Sequence, residues 1–205
     1  MVSAFLDTNI ILNWLSVARL TDKQRMKYKR DIANKYVSYE MIEKIISEKG
    51  ERGKFYASRV SLAEMIKLIS EKLCWNRMYK DGIPSHEFFY YYRKMKITRK
   101  EVGEMIDGAA VFDSLIEDGI LRTDELKKDG KMSESLLMVY LIGELKIEIH
   151  DAILICEAVH SKCQYFITGD GRLLDNKVKI KEIEIMQPQK FLEILKCEKY
   201  ESLRH

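Results

Sequence analysis

No apolar run in this 205-residue chain reaches the ~18 residues that a membrane-spanning helix requires, so no membrane partner is expected. The N-terminus has no basic region leading into a long apolar stretch and a small-residue cleavage site, so it does not read as a signal peptide. Both absences predict a cytoplasmic protein. There are only four cysteines, Cys74, Cys156, Cys163 and Cys197. None forms a CxxC pair and no histidine stands at zinc-like spacing from them, so they read as reduced thiols rather than a metal ribbon or a disulfide frame. The net charge of +3 is too small to announce a nucleic-acid partner, and any such argument must come from local clusters. There is no internal repeat, low-complexity tract or linker. One domain over residues 1–205 is therefore expected.

What is present is a 46% hydrophobic, 33% charged chain with only two prolines, enough to build a core dominated by helices. Residues 3–7 read as a buried strand, followed by a helix from about Asn9. The basic segment 19–35, with seven Lys/Arg against two Asp, extends the helical region. Another helix near 38–49 stops at the glycines 50 and 53. FYASRVS, 55–61, reads as a second strand, and the helix 61–73 follows with Ser61 as its N-cap. Residues 76–131 are expected to be mostly helical, with turns at 82–84 and 128–130. Residues 133–146 have strong helical periodicity. The segment 147–162 begins extended and becomes a helix near Asp151. Strands follow at 164–168 and 183–186, with a last helix from Pro188. Strands separated by helices predict a parallel sheet covered on both faces, whose ligand site lies beyond the carboxyl ends of its strands.

Four acids fall at comparable places in that pattern. Asp7 ends the first strand, and Glu64 lies in the first turn after the second. Asp151 starts a helix, and Asp170 follows the strand QYFIT. Each has an ordinary alternative as a helix cap, turn residue or solvated acid. Gathered at one sheet edge, they would repel one another and raise their pKa values. A hard divalent cation with oxygen preference, Mg2+ or Mn2+, removes that conflict and supports phosphodiester hydrolysis. His150, beside Asp151, reads as structural or exposed rather than catalytic.

FLDTNIIL, RVSLAEMI, HDAILICEA and YFITGDGRLL, in that order from residue 5 to residue 174, resemble the motifs of the PIN-domain family of metal-dependent nucleases. The resemblance implies a three-layer α/β/α sandwich with a mainly parallel sheet of about five strands. It implies Mg2+- or Mn2+-dependent endonucleolytic cleavage of RNA, with Asp7, Glu64, Asp151 and Asp170 as catalytic and metal-holding residues. Asn9 and Thr168 would orient an acid or a water. Many relatives carry a further Asp where this chain has Arg172. The chain is also longer than many family domains, with extra helical stretches near 17–54 and 76–131.

Those stretches hold the remaining candidates. Lys23, Arg25 and Lys27 in one, and Arg93 and Lys94 in the other, are cations suited to RNA phosphates. Phe88, Phe89, Tyr90, Tyr91 and Tyr92 are consecutive aromatics that point all around a helix. Most are expected in the core or in an interface with a second copy or another protein, and the alternative is base stacking. Two other functions stay open. One is a catalytically weak PIN-like scaffold that binds RNA or protein. The other is a haloacid-dehalogenase-like phosphatase with Asp7 as nucleophile, suggested by the initial strand-Asp and the later GDGRLLD.

Overall fold

The central strand is β1, Val2–Leu6, whose five residues are nearly all buried. Burial on both sheet faces explains why its sequence reads as an apolar run rather than an alternation. In the computed structural model, which describes residues 2–27, 32–48, 53–123, 137–175, 180 and 182–201, β1 lies between β2, Gly53–Tyr56, and β3, Tyr165–Ile167. A fourth strand, β4, Glu184–Met186, pairs with β3. All pairings are parallel and the strand order is β2-β1-β3-β4. Gly53 stands opposite Val2, and a Cβ there would lie 2.6 Å from the Val2 carbonyl oxygen, so this register admits only glycine.

The sheet has four strands among the described residues, not five. Beside β2, where another strand would lie, there is a single parallel bridge from Tyr56 to Arg122. Arg122 N–H donates to the Phe55 carbonyl and the Arg122 carbonyl accepts from Ala57 N–H.

Helices α1, Thr8–Ala18, and α3, Ala33–Ser47, pack closely together. Between them is the short α2, Asp22–Lys27. The basic segment does not continue α1, because Thr21 and Gln24 form a reciprocal capping pair that starts a new helix. After β2 comes α4, Arg59–Lys80. The strand ends at Tyr56 and the N-cap is Ser58, whose hydroxyl accepts from Val60 N–H, so the expected cap at Ser61 is corrected. Glu64 consequently lies in the second turn of α4, not the first. The helix also runs past 73, since nothing breaks it before Gly82, which takes φ 74° and closes a Schellman motif with Ile83 N–H on the Met78 carbonyl.

A 3₁₀ turn, Ser85–Glu87, leads into α5, Phe88–Tyr92, and α6, Arg99–Glu117, is opened by a Thr98–Glu101 capping box. None of the five α5 aromatics is in the buried core, so of the two expected places, core or interface, the core is corrected. The described part of the 133–146 helix is π-helical over Val139–Glu144; residues 128–130 and 133–136 lie outside the described residues. The remaining helices are α7, Ile149–His160, α8, Gly171–Asp175, and α9, Pro188–Glu201.

The two sheet faces feed separate cores. Ala4, Leu6, Phe55 and Ile167 pack with residues of α1, α3, α6 and α9, including Met41 and Ile45 of α3 and Phe112 of α6. Phe5, Tyr56 and Phe166 pack with α7 and the π-helical segment. Alternate strand residues thus point to opposite helical layers. Phe5 and Phe166 stack with centroids 5.8 Å apart. Phe166→Ala is expected to destabilise the protein by about 3–5 kcal/mol, read as a lowered urea midpoint. Ile106→Ala, on the exposed side of α6, is expected to change it by less than about 0.5 kcal/mol.

Candidate active site

Strand order sets the location. From β1 the chain moves outward to β2, then returns past β1 to form β3 on its other side. Beyond the carboxyl ends of β1 and β3 a parallel sheet opens a crevice at this reversal. Asp7 ends β1 and Thr168, Gly169 and Asp170 end β3 there. The cleft, of about 450 Å3, is lined by Asp7, Glu64, Asp151 and Asp170 together with Asn9 and Thr8.

Asp7 is buried, with 4% of its surface exposed. It occupies the N-cap position of α1, yet its carboxylate makes no capping hydrogen bond. Instead Oδ2 accepts from Thr168 Oγ1 at 2.6 Å and from Asn9 Nδ2 at 2.5 Å. Asn9 Nδ2 also reaches Thr168 Oγ1, and Asn9 Oδ1 accepts from Gly169 N–H at 3.0 Å. The Thr168 hydroxyl in turn accepts from Asp170 N–H at 2.9 Å. Asn9 and Thr168 therefore hold Asp7 and tie the end of β1 to the loop after β3.

Asp151 is the third residue of α7; the N-cap position belongs to Glu148. Asp170 is different. Its Oδ1 accepts from Arg172 N–H at 2.8 Å, and its Oδ2 lies 2.9 Å from Arg172 Nη2. Arg172 also pairs with Glu148. Asp170 is thus both a turn former and one side of an ion pair.

The electrostatics follow. Burial, with Asp151 and Glu64 nearby, outweighs the Thr168 bond and pushes Asp7 from its ordinary 3.8 to about 6. Burial raises Asp151 to about 6 as well, with Asp170, Glu148 and Glu64 adding repulsion against the relief from Arg172. The Arg172 guanidinium holds Asp170 below the usual carboxylate range. Two acids are therefore satisfied poorly as anions and one is satisfied well.

Glu148, Arg172 and Lys67 also line the cleft. Glu148 was missed from sequence, although it stands three residues before Asp151 at the same helix start. Lys67 lies one turn beyond Glu64 on α4. His150 lines the cleft from an exposed position. The cations Lys23, Arg25, Lys27, Arg93 and Lys94 do not line it. Arg25 is engaged elsewhere, donating to the Leu20 carbonyl and to the Tyr39 hydroxyl at 2.6 Å.

The donor set is all oxygen, which suits a hard divalent cation. Thr8 Oγ1, also at the cleft, is buried and has no hydrogen-bond partner among the described residues. An unsatisfied hydroxyl beside two poorly satisfied carboxylates fits a cation with bound water. The carboxylates line the cleft without converging: among the described residues, no three His, Cys, Asp or Glu side chains form a metal-holding group. No protein-family model matches the chain, and no curated protein matches it.

A raised carboxyl pKa means the folded state keeps its proton to higher pH than the unfolded state. The contribution of Asp7 and Asp151 to stability is therefore greatest below about pH 4, declines as pH rises through 6, and is flat above. In chelator, the stability gain of Asp7→Asn over wild type is expected to grow between pH 4 and pH 6 and then level, with a rise on the order of 2 kcal/mol. Urea titrations across pH measure it; a difference that does not vary with pH would contradict the burial of Asp7 as an anion.

Proposed function

We propose that this protein is a metal-dependent endoribonuclease of the PIN type, built as a three-layer sandwich. The observation that carries the reading is that Asp7, Glu64, Asp151 and Asp170, from four distant parts of the chain, line one cleft. Each of the four motifs resembling the family contains one of those residues. The parallel sheet with helices on both faces is of the expected kind.

Asp7, Glu64, Asp151 and Asp170 would hold Mg2+ or Mn2+. When bound, the cation supplies an activated water and neutralises charge on a phosphodiester undergoing hydrolysis. Thr168 and Asn9 fix the Asp7 carboxylate, limiting its rotation. Lys67 presents positive charge at the cleft for the RNA phosphates. The more distant Lys23, Lys27, Arg93 and Lys94 extend that attraction over the surface.

A second reading, an RNA- or protein-binding scaffold without cleavage, is favoured by one observation: Asp170 is already committed to Arg172. The phosphatase alternative leaves Glu64 and Asp151 without a task, and a trapped aspartyl-phosphate on Asp7 would be its mark.

Purified protein incubated with mixed structured and unstructured RNA is expected to cleave it with Mn2+ and not with chelator. Asp7→Asn is expected to abolish cleavage with the fold intact by circular dichroism. Full activity of that variant would defeat the assignment, and no cleavage in any condition would favour the scaffold. Thr168→Val, which removes the hydroxyl that steadies Asp7, is expected to lower metal affinity or activity by about 10–100-fold.

A further inference from the structure

The longest helix of the described chain connects the acidic cleft to the aromatic segment. On α4, Glu64, Leu68, Lys72, Trp75 and Tyr79 follow spacings of four, four, three and four, which place them on one face. Glu64 lines the cleft. Leu68 lines both the cleft and an adjoining groove of about 300 Å3 between α1, α4 and α6. Lys72, Asn76 and Arg19 line that groove, with Glu104 its acid. Trp75 and Tyr79 stand at the far end, 39% and 78% exposed. From Glu64 to Tyr79 the face extends about 22 Å, at about 1.5 Å per residue.

Helix α5 is laid against that end. Trp75 meets Phe88 at 6.5 Å and Phe89 at 6.3 Å between ring centroids. Phe89 and Tyr90 remain 75% and 61% exposed. Lys94 Nζ sits 3.7 Å from the centroid of the Tyr90 ring. Arg77 fastens the segment by donating to the Lys96 carbonyl at 2.9 Å and pairing with Glu101 at 3.2 Å. Residues 88–100 contain Arg93, Lys94, Lys96, Arg99 and Lys100 and no acid.

We propose that the exposed rings of Tyr79, Phe89 and Tyr90, with Trp75, form a stacking platform for single-stranded RNA whose strand runs along α4 into the acidic cleft. This deepens the nuclease reading and rests on it for the strand's destination. Charge decides the occupant. A protein-docking patch is depleted of lysine around its aromatics, whereas here the five charges within residues 88–100 are all cationic, three of them lysines, and the acids Glu87 and Glu101 stand only at the ends of that span. Exposed rings beside cations suit unpaired bases and their phosphates. Bases held in a duplex do not offer their faces to the rings.

Fluorescence anisotropy tests this with labelled oligouridines of about 4, 8 and 12 nucleotides, within the length range of such sites, and with a duplex of the longest. All are measured in chelator with the full chain. Affinity is expected to rise with single-strand length, to exceed that for the duplex, and to quench Trp75 emission. Tyr79→Ala combined with Phe89→Ala is expected to weaken the longest single strand on the order of tenfold or more. Met26→Ala, an equally exposed apolar residue on α2, is expected to change nothing. Wild-type affinity in the double variant would overturn the platform, as would equal affinity for duplex. Absence of oligonucleotide binding, with self-association lost in the double variant, would overturn it in favour of a protein interface. Strand binding through these rings without Mn2+-dependent cleavage would defeat the nuclease reading alone. Cleavage with binding indifferent to the double variant would defeat the platform alone.

Discussion

The Thr168 hydroxyl bound to the Asp7 carboxylate joins the ends of β1 and β3. The bond can form only because β3 lies beside β1 in parallel register, with Leu6 opposite Ile167. That register brings the next residues of both strands, Asp7 and Thr168, to the same edge, where the chain's reversal of direction leaves a crevice. Asn9 closes the arrangement from the first turn of α1, and the Asp170 N–H closes it from the loop. The site is thus continuous with the sheet, and its geometry is only as rigid as the β1–β3 pairing.

That arrangement opposes stability. Asp7 and Asp151 are raised to about 6 because burial and neighbouring acids disfavour their ionised forms. A fold selected for stability alone would place apolar residues or partners there. The chain supplies an arginine to only one part of the cluster, where Arg172 joins Asp170 and Glu148. The rest stays electrostatically unbalanced, which is the condition in which a cation gains most by binding. Such an imbalance marks functional sites more often than structural ones.

Much of the framework was legible in the chain. The apolar run before Asp7, the strands near 164–168 and 183–186, and the helix from Pro188 all form close to where periodicity puts them. Boundaries set by single side chains were less legible. Ser58 and Ser61 are equally good caps on paper, and the choice fell to Ser58 because β2 ends at Tyr56. The aromatic run misled as a core signal. Its hydrophobicity pointed to the core or an interface, but α5 is only five residues long and lies against α4, and Phe89, Tyr90 and Tyr91 stay exposed among the described residues.

By itself the sequence determined which residues are apolar at which period, and hence an alternation of helices and parallel strands with acids at the ends of several elements. It also determined the oxygen-only chemistry of those acids. Only the tertiary structure decided that the Asp7 carboxylate is held by Thr168 and makes no cap on α1, that Glu148 and Lys67 join the cleft, and that Arg172 is spent on two carboxylates. It alone aligned the α4 face with both the cleft and the exposed rings. The reason is physical: periodicity is a property of neighbours in the chain, whereas Thr168, which bonds Asp7, and Asp151, which repels it, are brought to it only in the folded chain.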